Sequence, residues 1–211
     1  MEAAWDPEQG VALVVQHKGK VLSTMGVTVQ GQLALFPEEV LFLLQRHNLR
    51  LVDGEGEPVS TNTFLVQTSR HPLHDPMTAP TYLYLKERDF VVRRFGIPPR
   101  LSSLANTLAC AHTPQTAESS TKIRFSVYGP TVTSRTQLPR SPLFHVALSS
   151  YNHDIPGPDT LDALFETTND STTILLAVAG DDRSILFFQM TNLTPATPIP
   201  ALEMQDPVPP V

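Results

Sequence analysis

Lys86, Arg88, Arg93 and Arg94 form the densest basic cluster of the chain. Clustered cations neutralise phosphates, so Lys86, Arg93 and Arg94 are candidate contacts to RNA. The same charges would equally guard the edge of a β-strand against unwanted pairing. An acidic counterpart lies near the other end, where Gly180-Asp181-Asp182 puts two carboxylates in one short turn. Such a tip could dock into a basic groove, although Asp and Gly favour turns for backbone reasons alone. The histidines give weaker signals. His71 and His74 are three apart with Pro72 between them and no third Cys or His nearby, so zinc spacing is missing. His153 and Asp154 with a nearby serine could be drawn as a triad, but no Gly-x-Ser-x-Gly elbow supports it. His145 follows Phe144 in an apolar run and reads as a core or edge residue. Asp53-Gly-Glu-Gly-Glu-Pro58 has the glycines of a phosphate loop, yet Glu55 and Glu57 would repel a phosphate, so it reads as a turn. No Walker motif, dinucleotide fingerprint or kinase signature occurs, and neither a cofactor nor a metal is expected.

Charge is divided unevenly. Residues 1–140 carry 14 Lys+Arg against 12 Asp+Glu, and residues 141–211 carry one (Arg183) against nine. An acidic half is poorly suited to binding nucleic acid by itself. It suits docking onto a basic partner that itself holds RNA, or it is an ordinary solvated surface. A single cysteine, Cys110, excludes an internal disulfide. Neither a signal peptide at the amino terminus nor an apolar run long enough for a bilayer is legible, so no membrane role is expected. The 20 prolines of 211 residues exceed the usual share of about 5%. They concentrate after Gly96, around 138–142 and in the final stretch, which marks linkers and a tail.

The elements that would position these residues are those of an α/β (α+β) chain. Val11–Gln16 and Lys20–Thr24 flank Lys18-Gly19 as an opening hairpin. Pro37 sits at a first helical position with Glu38 and Glu39 behind it, where carboxylates favour the positive helix end. Val40, Leu41, Phe42 and Leu44 then give that helix a broad apolar face. A short strand is expected at Leu49–Val52 and a helix at Phe64–Ser69, capped by Ser60-Thr61-Asn62. A further helix over Thr78–Arg88 puts Tyr82 and Leu85 on one stripe, and Phe90–Phe95 is β-prone. Later apolar runs at 123–128, 143–149, 173–179 and 184–190, with an amphipathic stretch Thr160–Thr167, imply a mostly antiparallel sheet and one short helix. Gly180-Asp181-Asp182 joins the last two strands as a hairpin. The expected units are therefore 1–96, a Pro/Ser/Thr linker 97–122, a second domain 123–193 and a disordered Pro-rich tail 194–211.

In order along the chain, Trp5-Asp-Pro-Glu-Gln-Gly10, Thr24-Met25-Gly26 and Phe36-Pro-Glu-Glu39 resemble motifs of the tRNA-splicing endonuclease subunits. The similarity is to the larger non-catalytic subunit, subunit fifty-four. Tyr84-Leu85-Lys86 with Val91-Val92-Arg93-Arg94-Phe95 resembles that family's helix-then-strand signature. Phe125-Ser-Val-Tyr128, Pro158-Asp159 with Leu161 and Leu164, and the pair Leu175–Ala179 and Ile185–Phe188 resemble its carboxy-terminal part. The long charged insert usual in the family is replaced here by a short linker.

The resemblance implies a small amino-terminal α/β domain followed by an intron-endonuclease-like mixed sheet. It also implies a nuclear heterotetramer of catalytic subunits and a second structural subunit acting on pre-tRNA. Catalytic members of this fold cleave RNA with a Tyr, a His and a Lys, which supply base, acid and charge stabilisation. Tyr128 occupies a position like that of the Tyr, but Gln137–Pro142 holds no histidine and no lysine follows Lys122. The expectation is a scaffold subunit without catalytic residues, with Tyr128 a packed aromatic whose hydroxyl is tied down. Two alternatives stay open. One is a degenerate but active nuclease using Tyr128, His145 and a borrowed cation; the other is a protein-interaction domain with no RNA role. Subunits of the family join through closing strands, which makes Ile185, Phe187, Phe188 and Gln189 the expected partner interface and Asp181 and Asp182 an expected docking loop.

Overall fold

The computed structural model describes residues 1–17, 19–71, 75, 77–103, 121–150, 155–168, 173–180 and 184–190. Among the described residues, two mixed sheets and three helices share one apolar core, and a fourth helix packs on the second sheet. The first sheet is built from β1 (Glu2–Asp6), β2 (Val11–Gln16), β3 (Val27–Val29), β4 (Gln32–Leu35), β5 (Arg50–Val52) and β7 (Arg100–Leu101), ordered β5-β1-β2-β4-β3-β7. The second contains β6 (Val91–Arg94), β8 (Lys122–Tyr128), β9 (Phe144–Ser150), β10 (Thr173–Ala179) and β11 (Ile185–Met190), ordered β11-β10-β9-β8-β6. The α+β class expected from the sequence is observed.

The opening hairpin differs from expectation. β2 pairs with β1, not with Lys20–Thr24, and Trp5 stands opposite Ala12. Glu2–Asp6 alternates buried and half-buried residues, with Ala3 and Trp5 inward, which is the period of a half-buried strand. Asp6 closes the connection, its Oδ1 accepting the N–H groups of Glu8 and Gln9 at 3.0 Å. Lys20–Thr24 forms successive turns instead, with Ser23 N–H donating to the Lys20 carbonyl at 3.0 Å.

Helix α1 (Pro37–Gln45) starts at the expected proline. Val40, Leu41, Phe42 and Leu43 are all buried, so the helix is apolar nearly all round and lies inside the molecule. Helix α2 (Thr61–Ser69) is capped by Ser60, whose Oγ accepts the Thr63 N–H at 3.1 Å. Helix α3 (Thr78–Glu87) buries Tyr82 and Leu85, as its stripe predicts. Aromatic rings tie these helices to both sheets. Trp5 of β1 meets Phe64 of α2 edge-on at 4.9 Å, Phe42 meets Tyr82 at 6.2 Å, and Tyr82 meets Phe125 of β8 at 5.9 Å. One apolar cluster therefore runs from Ala3 and Trp5 to Val146 and Leu175.

That shared core alters the expected division of the chain. β6 lies before residue 97 yet pairs with β8, Arg93 standing opposite Ser126. The first residues of the expected linker are also built in. Ile97 is buried, Pro99 accepts the Thr28 N–H at 2.9 Å, and β7 runs parallel to β3. Residues 104–120 of that linker and the tail 194–211 lie outside the described residues. Strands β8 to β11 occur where the apolar runs predict them, and helix α4 (Pro158–Thr167) lays Leu164 and Phe165 on Ile123, Ala147, Ile174 and Leu176. β9 and β10 are parallel, with α4 between them in sequence; the remaining pairs of this sheet are antiparallel.

Candidate functional site

The expected basic cluster does not form on the surface. Arg93 and Arg94 are 5% and 7% exposed, and each is committed to an internal partner. Arg94 makes a two-pronged pair with Glu38, Nε to Oε1 and Nη2 to Oε2, both at 2.7 Å. Its guanidinium also lies 4.1 Å from the centre of the Phe36 ring. Arg93 donates through Nη1 to the carbonyl of Gly26. Glu39 completes the arrangement: Oε1 accepts the Gly26 N–H at 2.7 Å and Oε2 the Phe36 N–H at 2.9 Å. The second bond is the return half of a capping box, satisfying one orphan donor at the start of α1. Burial pushes the Glu39 carboxyl above its ordinary pKa, with Arg93 opposing the shift.

The motif residues Gly26, Glu38, Glu39, Arg93 and Arg94 are thus one buried joint between the two sheets. Glu38 and Glu39 do favour the helix start, but as buried partners of arginine and backbone rather than as surface charges. The signal for this was present in the sequence. A helix apolar all round drags its carboxylates inside, and buried carboxylates need cations. Arg93-Arg94 directly follows buried Val91 and Val92.

Lys86 remains nearer the surface, half-buried at the end of α3. Its ammonium donates to the Phe90 carbonyl at 3.3 Å and stands 5.8 Å from the Phe42 ring centre, and burial lowers its pKa. Arg46 shares the same ring at 4.9 Å, and Arg88 stacks on Tyr84 at 3.4 Å. The two residues of the nuclease reading lie on the paired strands β8 and β9. His145 is buried, its Nδ1 3.1 Å from the Ser126 Oγ and its ring edge-on to Phe95 at 5.1 Å, and burial lowers its pKa. Tyr128 is half-buried at the end of β8, and burial raises the pKa of its phenol. Among the described residues no group of three or more His, Cys, Asp or Glu is placed to hold a metal, and no helix is long and apolar enough to cross a membrane.

β11 forms one edge of the second sheet and pairs only with β10 among the described residues. Its side chains divide by face. Ile185 and Phe187 pack on the central core, Phe187 stacking on Tyr84 at 5.0 Å. Leu186 and Phe188 point outward, 55% and 52% exposed, and Gln189 is exposed as well. Of the four expected interface residues, Phe188 and Gln189 are thus available, Ile185 and Phe187 largely are not, and Leu186 joins the available set. The hairpin between β10 and β11 is closed by Gly180 N–H donating to the Ser184 carbonyl at 2.9 Å. Asp181 and Asp182 lie outside the described residues.

Residues 1–53 match the family described as tRNA-splicing endonuclease subunit sen54 N-term. The chain is also similar to the tRNA-splicing endonuclease subunit Sen54 of Mus musculus, 30% identical over 95 residues. That alignment covers 45% of this chain and 18% of the mouse protein. The matched residues 1–53 hold β1 to β5, α1, Gly26, Glu38 and Glu39, which is most of the first sheet and three of the five residues of the buried joint. It is through this amino-terminal part that the chain is similar to the Sen54 subunits of tRNA-splicing endonuclease.

Proposed function

We propose that the chain is a non-catalytic scaffold subunit of a nuclear tRNA-splicing endonuclease. In this reading it pairs with a catalytic subunit and joins the second structural subunit in a heterotetramer. That assembly holds pre-tRNA while the intron is cut at both ends. The observation that carries the proposal is the open edge of β11, which presents Leu186, Phe188 and Gln189 to solvent. An apolar unpaired strand is a liability unless a partner covers it. Asp181 and Asp182, at the adjoining hairpin, are the proposed contact to the opposite heterodimer, and Lys86 the proposed contact to pre-tRNA.

A scaffold role also agrees with the chemistry of the candidate catalytic groups. A phenol with a raised pKa is a poorer base at neutral pH, and a buried neutral imidazole bonded to Ser126 is not free to donate a proton to a leaving oxygen. Reconstitution tests the reading. The chain is co-expressed with the catalytic subunits and the second structural subunit, and assembly is followed by light scattering. The expected result is a complex that cleaves intron-containing pre-tRNA, with no cleavage by the chain alone and none lost on Tyr128→Phe. Failure to assemble, or a hundredfold loss in Tyr128→Phe with assembly intact, overturns it.

A further inference from the structure

The first sheet splits open along one seam. β2 and β4 pair only at Ala12–Leu35 and Leu13–Ala34 and then diverge. Beyond that point, Val14–Gln16 on one bank and Gln32–Leu33 on the other have no strand partner across the gap among the described residues. The separation has a local cause. The pairing of β1 with β2 steps from Ala3–Val14 to Glu2–Gln16, so Val15 is an extra, bulged residue that bends β2 away. Val15 is 61% exposed as a result. Between the banks lies a groove of about 540 Å³, whose lining includes Arg135, Val14, Val15, His17, Gln32 and Leu33.

Arg135 is fixed by three hydrogen bonds. Its backbone N–H donates to the Ser23 carbonyl at 2.8 Å, Nη1 to the Leu22 carbonyl at 2.8 Å, and Nη2 to the Thr28 Oγ1 at 3.4 Å. Its Nε is shielded from solvent without a hydrogen-bond partner. No acidic residue lines the groove among the described residues. Burial and then the charge of Arg93 both act against the Arg135 cation, so an anion placed above it would be favoured.

We infer that this groove takes an extended, carboxylate-bearing peptide segment of a partner protein, added as a strand to the open bank of β2. Unpaired backbone on both banks calls for a backbone of matching repeat, which a peptide has and a nucleic acid lacks. The exposed Val15 provides an apolar place for a peptide side chain. One anchored cation suits a single carboxylate, whereas a phosphate chain needs several. The inference stands apart from the subunit reading, because it uses the groove alone and no property of a complex.

The test uses the purified full chain and a displayed library of random peptides. Enriched peptides should alternate apolar residues around at least one Asp or Glu. A synthetic peptide of the consensus, followed by fluorescence anisotropy, should bind about tenfold more weakly to Arg135→Gln and to Val15→Asp. Val15→Asp alters an exposed position and keeps the test decisive should Arg135→Gln fail to fold. Backbone N-methylation of the peptide should abolish binding, and oligouridine should not compete. No enrichment, binding unaffected by Val15→Asp, or displacement by oligouridine overturns the inference.

Discussion

Glu39 and Arg93 hold the two backbone groups of one residue from opposite sides. Glu39 accepts the N–H of Gly26 at 2.7 Å, and Arg93 donates to its carbonyl. One of these side chains comes from helix α1 and the other from strand β6, so a single glycine links the helix layer to the second sheet. Gly26 itself belongs to the first sheet's side of the molecule, immediately before β3. The relationship explains why the Thr-Met-Gly, Pro-Glu-Glu and Arg-Arg motifs occur together in this chain: they are parts of one contact.

Gly26 cannot be replaced without cost at this contact. Its φ is +70°, and an added Cβ would sit 2.6 Å from the Ala34 carbonyl oxygen and 2.7 Å from a Leu33 methyl. Gly26→Ala is therefore expected to destabilise the fold by roughly 2–4 kcal/mol, from left-handed strain and overpacking together. Urea denaturation of the purified chain measures this. Gly31→Ala is the control, since its φ is +88° with no atom within 4 Å, and it should lose only the strain component.

The Glu38–Arg94 pair gives a prediction about coupling. Both side chains are nearly sealed from solvent, 2% and 5% exposed. Removing either partner leaves a buried charge without its counterpart, at a cost of about 3–5 kcal/mol. Glu38→Leu and Arg94→Met should each destabilise by that order, while the two combined should lose less than either single change. A double-mutant cycle in urea reads the coupling, and simple additivity would contradict the pairing.

How far the sequence revealed this arrangement depends on the range of the interaction involved. Helices α1, α2 and α3 were legible because Pro37, Ser60 and the Tyr82–Leu85 stripe are local signals. Strands β8 to β11 were legible as runs of β-prone apolar residues. β1, β3 and β7 are only two to five residues long, too short for a sustained pattern, and β5 beside β1 and β7 beside β3 are held by partners distant in the chain. The joint was missed for the same reason. A basic pair in a strand reads alike whether it faces water or a carboxylate 56 positions earlier. Only the all-round apolar character of α1 hinted that Glu38 and Glu39 were inside. Phe187 and Phe188 were likewise equivalent by pattern, and only Tyr84 decides which of them points inward.

His145 predicts how stability changes with acidity. Burial holds its folded pKa below the ordinary 6.5. The unfolded chain then binds a proton that the folded chain refuses, so stability on this account is complete well above pH 6.5 and declines as the pH falls below it. The decline can reach about 1.4 kcal/mol per pH unit for one such group. His145→Asn keeps a polar atom near Ser126 but cannot titrate. Urea denaturation of both proteins from neutral to mildly acid pH should show a shallower fall for the variant. Parallel curves would mean that His145 titrates as freely folded as unfolded.

The two neighbouring phenylalanines of β11 should behave in opposite ways. Phe187 packs on Tyr84 and the central core, so Phe187→Asp buries a carboxylate without a partner and should destabilise the isolated chain by several kcal/mol. Phe188 is 52% exposed opposite Leu176, so Phe188→Asp should leave the melting of the isolated chain close to that of the parent. Under the proposed scaffold role the order reverses in assembly. Phe188→Asp should abolish co-purification of a catalytic subunit although the chain is folded, because a charge is set at the centre of an apolar contact. Leu186→Asp, on the same face, should do the same to a lesser degree. If a folded Phe188→Asp chain still pairs as well as the parent, the open edge of β11 is not where the catalytic subunit binds.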